Sequence, residues 1–340
     1  MAEGRIRRIG MAGAGWVSAY HLPAWRKQAG RAAVVAIADP DGEAAAGRAQ
    51  AFGIPRRYGS AEAMLEAEEL DAVDICSPRE SHAPLVRLAA ERGLAILCQK
   101  PLATDLGQAE ALVAGLRPGT RLMVHENWRF RAYYRRLKRW LDEGLAGPIR
   151  QASFEFFSSG MIPGPDGERP ALTRQPFFRR QERLLVMEVL IHHLDTLRFL
   201  LGDLEVVAAR LERSNDAIVA EDVAFALLRR RSDGVLLPVS GNLAVHGAPP
   251  APRDHLRLFG ARGTIELLGP DLALRGPEPR SERFDPEAAY QGAYDAAIAH
   301  FLDGLEGGGF ETGPEDNLKT LALVEEIYRQ SRFDPAADPR

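Results

Sequence analysis

The sequence predicts an α/β protein, with a doubly wound parallel sheet in its N-terminal part followed by an α+β domain on a largely antiparallel open sheet. Three observations lead there. Through residue 125 short apolar runs alternate with helical segments; beyond the break at Gly147-Pro148 strand-like segments succeed one another at hairpin spacing; and the first apolar run ends in closely spaced glycines. Alternation implies parallel strands covered by helices, whereas consecutive strands imply antiparallel pairing.

In order, the first strand runs into Gly13-Ala14-Gly15, then come a helix over 16–29, a strand over 33–38, and helices over 41–52 and 61–68. A strand over 72–76, a helix over 82–92, a strand over 94–98, a helix over 105–116 and a strand over 122–124 complete the alternating part. A helix over 133–143 precedes the break. Strands are then expected over 150–157, 206–212, 223–229, 235–243, 255–259 and 263–267, and closing helices over 286–306 and 314–330. The expected domains are 1–125 and 126–340, the closing helices packing back on the body. Only 247–253 and the 334–340 tail look loose.

The glycines open a dinucleotide cradle of the Rossmann kind. Gly13 allows the tight turn out of the strand, and Gly15, lacking a Cβ, lets a pyrophosphate approach the amides of Trp16 and Val17 at the helix start. Ser18 holds the third position and is small enough to pack there. The second strand ends in Asp39, placed to accept hydrogen bonds from the adenosine ribose. A carboxylate there repels a 2′-phosphate, and no Arg or Lys follows until Arg48, which favours NAD over NADP.

The chain has 340 residues, 46% hydrophobic and 26% charged, the composition of an ordinary globular protein of about two domains. A net charge of −4 gives no broad field for nucleic acid. The basic run 129–139 has the spacing of a solvated helix face around Tyr133, Leu137 and Trp140. No apolar stretch reaches membrane-span length and no signal-peptide region is evident, so a cytoplasmic protein is expected. Cys76 and Cys98 end buried strands and read as small apolar residues rather than a disulfide framework or metal cluster.

Ligands of such sheets bind beyond the carboxyl ends of the strands, which directs attention to Ser77-Pro78 with His82, to Gln99-Lys100-Pro101, and to 125–129. Lys100, between a buried strand and a proline, is restricted in backbone conformation and aimed into the crevice. These pieces, with Gly13-Ala14-Gly15, Asp39-Pro40-Asp41 and Ile191-His192-His193-Leu194-Asp195, resemble the Gfo/Idh/MocA oxidoreductase family from the cradle to about Ser331. The resemblance implies a Rossmann domain, a C-terminal domain whose open sheet often forms the oligomer interface, and NAD(P)-dependent chemistry on sugars, inositols and related polyols. It aligns Lys100 with the lysine of the family's Glu-Lys-Pro motif, His192 with the catalytic histidine and Glu188 with an aspartate position; Ser77, Pro78, His82, Gln99 and Lys100 then join the cofactor contacts. Gln99, Arg79 and Glu188 depart from the pattern, and a glycine-rich run is replaced at 184–187.

The residues of the second cluster give a compatible reading by themselves. Glu188, His192 and Thr196 are spaced to share one helix face, with Met187, Leu190, Ile191, Leu194, Leu197 and Leu201 as its apolar anchor. His193 and Asp195 read as core or capping groups, and His193 is also a candidate substrate contact. Adjacent histidines without a third ligand disfavour a metal. Asn127, Trp128 and Arg129, with Phe177 in the loop 174–180, have the polar and aromatic character of a sugar pocket, and weakly resemble the branch that includes D-apiose dehydrogenases.

The expected activity is hydride transfer between nicotinamide and a secondary hydroxyl or carbonyl of a small sugar or polyol. His192 acts as general base, Lys100 stabilises the charge developing on oxygen, and Glu188 tunes the imidazole. Two rival readings are an NAD-dependent glycosidase using transient oxidation, and a noncatalytic NAD-binding regulator. Apolar residues on both faces of strands such as 224–228 lead to an expected homodimer or homotetramer.

Overall fold

The computed structural model describes residues 5–336, so the last four residues of the tail lie outside the described residues. Among the described residues the chain forms two compact units, 5–130 with Tyr290–Leu321, and Arg131–Ala289 with 322–336.

The first unit holds a six-stranded parallel sheet in the order β3-β2-β1-β4-β5-β6. Its strands are β1 (Arg7–Ala12), β2 (Ala32–Ala38), β3 (Arg56–Tyr58), β4 (Ala72–Ile75), β5 (Ala95–Gln99) and β6 (Leu122–His125). The helices α1 (Ser18–Lys27), α2 (Gly42–Phe52), α3 (Ala61–Ala67), α4 (His82–Glu91) and α5 (Leu106–Ala114) alternate with them. Strand order reverses between β1 and β4, a switch point that places the β1 carboxyl end where ligands of doubly wound sheets bind. Asp41, Ser60 and Asp105 cap α2, α3 and α5 through their side-chain oxygens, satisfying amides that the first helical turn leaves free. The core joins Ile9, Met11, Ile37 and Leu97 to Trp25 of α1. It also takes in Ala293, Ala297 and Phe301, all fully buried in the helix Pro286–Leu305.

The second unit carries helix α6 (Ala132–Asp142) and an eight-stranded sheet ordered β14-β13-β12-β11-β7-β10-β9-β8. Its strands are β7 (Ile149–Phe157), β8 (Leu204–Glu212), β9 (Val223–Arg230), β10 (Leu236–Asn242), β11 (Arg253–Gly260), β12 (Thr264–Leu268), β13 (Asp271–Arg275) and β14 (Arg280–Arg283). Only the β7–β10 pair is parallel. Side chains alternate across it, with Phe154, Phe156, Leu256 and Leu258 buried on the inner face and His255, Arg257 and Phe225 on the other. Beside the inner face a π-turn, Leu185–Leu190, leads into α8 (Ile191–Leu201), after the short helix α7 (Pro170–Arg174).

Three strands go beyond the expectations: β3, β13 and β14. Arg56-Arg57-Tyr58 and Arg280–Arg283 are short, polar edge strands, and edges lack the apolar alternation by which strands are read. Helix and strand shifts elsewhere are a residue or two. The more consequential difference is the π-turn, where a regular helix was expected to carry Glu188 to Thr196.

Candidate active site

The cradle is built at the β1–α1 turn. Gly13 has φ +110°, and a Cβ on it would lie 2.6 Å from the carbonyl carbon of Cys76, so this turn requires glycine. At Gly15 a Cβ would meet nothing within 4 Å, which leaves the backbone open to a phosphate. Asp39 accepts the Ala14 amide at 2.6 Å through Oδ2 and the Asp41 amide at 2.8 Å through Oδ1, so the acid meant for the ribose also fixes the glycine turn. Arg48 joins it from α2, donating from Nε to Ser18 Oγ at 3.0 Å and from Nη2 to the Gly15 carbonyl at 3.3 Å. Ser18 is thus a link between helices as well as a small residue. Trp16, 44% exposed, stands edge-on to Tyr20 at 4.9 Å, with Val17 half-buried beside it. A required glycine, an open glycine and an acid at the strand end fit a dinucleotide.

Lys100 follows β5 and is half-buried, joined to Pro101 by a cis peptide. His82 braces this loop, its Nδ1 2.7 Å from the Pro101 carbonyl and its Nε2 2.9 Å from that of Ser77. Ser77 Oγ lies 2.6 Å from Ser81 Oγ, and Pro78 is exposed. His82 and Gln99, both expected as cofactor contacts, also have partners within the unit. His82 is buried against two carbonyls, and the Gln99 amide donates to His21 Nε2 at 2.6 Å and His125 Nδ1 at 3.2 Å inside the unit. His21 and Trp25 in turn donate to Asp74 Oδ2 at 2.8 and 2.7 Å. His21, Asp74 and Cys76 form the one group among the described residues with three atoms placed as metal ligands. Burial, reinforced by Asp74, pushes the Cys76 thiol well up, and the thiol donates to Asp74 Oδ1 at 3.4 Å.

Of the expected substrate contacts in this unit, Asn127 is buried and its Nδ2 has no hydrogen-bond partner among the described residues. Trp128 is half-buried, edge-on to Tyr290 at 6.0 Å. Arg129 is buried, donating to Asp316 Oδ2 at 2.7 Å and to the Glu311 carbonyl at 3.0 Å.

In the second unit Glu188 sits half-buried on the π-turn, and His192 is buried at the first turn of α8. Thr196, expected to share their face as a polar group, donates to the His192 carbonyl at 2.8 Å. His193 is buried. Its ring lies between Phe154 and Phe156, at 4.8 and 4.7 Å, its Nε2 donates to Asp254 Oδ1 at 2.9 Å and its Nδ1 faces the Val189 carbonyl at 3.2 Å. These contacts anchor α8 to the sheet. Burial alone raises the Asp254 carboxyl, but His193, Arg131 and the Tyr134 hydroxyl outweigh it and hold the group down at about 2. Phe177 is 48% exposed, edge-on to buried Phe178.

Sequence reasoning missed Arg48, Asp74, Glu221 and Asp254. Asp74 left a signal, an acid inside an otherwise apolar strand; the others lie on elements whose partners only the fold reveals.

Residues 7–125 match the profile described as "Oxidoreductase family, NAD-binding Rossmann fold", and residues 134–266 match the GFO/IDH/MocA C-terminal domain. The chain belongs to the Gfo/Idh/MocA oxidoreductase family. Among family relatives, a D-apiose dehydrogenase of Paraburkholderia graminis is 39% identical over 94% of this chain and 86% of its own length. An inositol 2-dehydrogenase of Rhizobium meliloti is 30% identical over 95% and 96% respectively. The solved structure of an oxidoreductase from Agrobacterium radiobacter, in complex with NAD+, L-tartaric acid and magnesium, superposes with TM-score 0.88 at 32% identity, covering 96% of this chain and 97% of that one. Residues 7–125, which carry the cradle, are therefore an NAD-binding Rossmann domain of an oxidoreductase.

Proposed function

We propose that the enzyme uses NAD to interconvert a secondary hydroxyl and a carbonyl on a small sugar or polyol. The observation that carries this reading is Lys100 at the carboxyl end of β5, in the same parallel sheet whose β1 carboxyl end opens the cradle. Gly13, Gly15, Asp39 and the first amides of α1 would hold the dinucleotide, and Asp39 disfavours a 2′-phosphate by charge. When bound, NAD supplies the hydride acceptor. Lys100 donates a hydrogen bond to the reacting oxygen and stabilises the negative charge that develops there. His192 takes the hydroxyl proton, and Glu188 orients or charge-tunes its ring. The Asn127 amide, buried with its Nδ2 unpartnered, is the strongest remaining candidate for a substrate hydroxyl.

D-apiose is the first sugar to test, given the relative of that name, followed by inositols and other free aldoses, with NADH absorbance as the readout. Lys100→Met and His192→Ala should each lower turnover by about 10²–10⁴-fold while leaving NAD affinity near wild type. No NADH from any sugar would sink the reading, and near-wild-type oxidation by either variant would remove that residue from the mechanism.

Self-association through the outer face of the second sheet accompanies this reading, since Phe225 and Leu236 are 54% and 45% exposed there on neighbouring strands. A cytoplasmic setting is supported by two free, buried cysteines. Among the described residues no helix is long and apolar enough to cross a membrane.

A further inference from the structure

The turn that carries Glu188 and leads into His192 is gripped from outside by one residue. Glu221, just before β9, is fully buried. Its Oε1 accepts the Val186 amide at 3.0 Å, both carboxylate oxygens lie 3.3 Å from the Leu184 amide, and its own carbonyl accepts the Leu185 amide at 3.3 Å. Three consecutive amides thus end on one residue. They are the donors that the start of a helical segment leaves without internal partners, and a carboxylate there also meets the positive end of the peptide dipoles. The Tyr328 hydroxyl donates to Oε1 as well, and Arg183 lies over the Tyr328 ring at 4.5 Å while pairing with Glu325.

Gly241 of β10 forms the seat on the other side. A Cβ there would lie 3.1 Å from Leu190 Cδ1 and 3.3 Å from Leu185 Cδ2, closer than side chains ordinarily pack. Sheet and turn meet at a distance that only glycine permits without a shift. π-turns are rare and recur at functional sites, because the extra residue in the turn re-aims the side chains that follow.

We infer that Glu221, with Gly241 as its seat, is a positioning residue that holds the π-turn in the register presenting Glu188 and His192. This rests on the reading of His192 as proton acceptor. Without the grip, residues 184–190 relax toward an ordinary α-turn and rotate Glu188 relative to His192, although neither Glu221 nor Gly241 touches the reacting atoms.

The test measures kcat, KM for NAD and melting temperature for Glu221→Ala, Glu221→Gln and Gly241→Ala, with the Glu221 variants also made in a His192→Ala background. Glu221→Ala should lower kcat about 10- to 100-fold without changing KM for NAD, the scale expected when a reacting group is misplaced by about an ångström. Glu221→Gln keeps an acceptor for Val186 and Tyr328 and should lose less. Gly241→Ala, which removes nothing polar, should lose kcat in the same direction. In the His192→Ala background neither Glu221 substitution should cost anything further, because its effect passes through His192. A wild-type kcat in both Glu221→Gln and Gly241→Ala would overturn the inference, as would an equal fold-loss from Glu221→Ala with and without His192; the first decides the matter even if Glu221→Ala does not fold. Near-wild-type turnover by His192→Ala alone would instead overturn the reading of His192.

Discussion

Asp254→Asn removes the buried charge that ties α8 to the second sheet. In the wild type Asp254 Oδ1 accepts from His193 at 2.9 Å, Oδ2 accepts from the Tyr134 hydroxyl at 2.9 Å, and Arg131 lies 3.5 Å away. All of these groups are buried or nearly so. The amide keeps one acceptor for His193 but turns an NH2 toward the donors of Tyr134 and Arg131 and leaves the guanidinium without its anion. Breaking a buried pair from one side costs about 3–5 kcal/mol. The retained acceptor places this variant near 3 kcal/mol, or roughly 6–12 °C in melting temperature for a unit of this size. Part of that loss has a pH signature. The Asp254 carboxyl is held at about 2, below the ordinary value near 4, which corresponds to about 2.5 kcal/mol of folding free energy. Because the folded value is the lower one, this contribution is complete above about pH 4 and disappears as pH falls toward 2, with about half gone by pH 3. Denaturant unfolding of both proteins at pH 7, 4 and 3 should show the gap between them narrowing only over the acidic step. A gap under about 1 kcal/mol at pH 7, or one unchanged between pH 7 and 3, would refute the assignment of that stability to this carboxylate.

Three further outcomes are expected. Gly13→Ala should lower the melting temperature and abolish NAD binding, because its Cβ strikes the Cys76 backbone at 2.6 Å, whereas Gly15→Ala, meeting nothing within 4 Å, should melt like wild type yet lose NAD. Calorimetry should also rank NAD above NADP for the wild type, and wild-type affinity in Gly15→Ala would dispose of the cradle. The wild type should scatter light as an oligomer and Phe225→Glu as a smaller species; a wild-type monomer would end the docking role of the outer sheet face.

The first unit was legible because its information is local. Each buried parallel strand is a short apolar run, and Gly13 and Asp39 stand at strand ends where backbone conformation and charge restrict the choice of residue. The second unit was legible as strands but not as an order of strands, since β7 pairs with β10 and β11, across long intervening segments. The candidate site divided the same way. Lys100 and His192 could be singled out from their neighbours in sequence, but the status of His193 depended on Asp254 and that of Arg129 on Asp316, partners remote along the chain. The π-turn was beyond reach of periodicity: Glu188 and His192 carry the spacing of an α-helix, and what widens the turn is an acid at Glu221.

Ala293, Ala297 and Phe301, near the end of the chain, complete the apolar core around Ile9 and Trp25 near its beginning. On the ribosome, then, neither unit is complete until the end of the chain: the first waits for 290–321 and the second for the segment that follows. Residues 5–125 leave the exit tunnel with one side of their core unfilled, and at about 5–20 residues per second the missing helix follows roughly ten seconds or more later. In that interval the first segment waits with apolar surface exposed, and the second unit, whose Glu221 meets Tyr328, waits longer still.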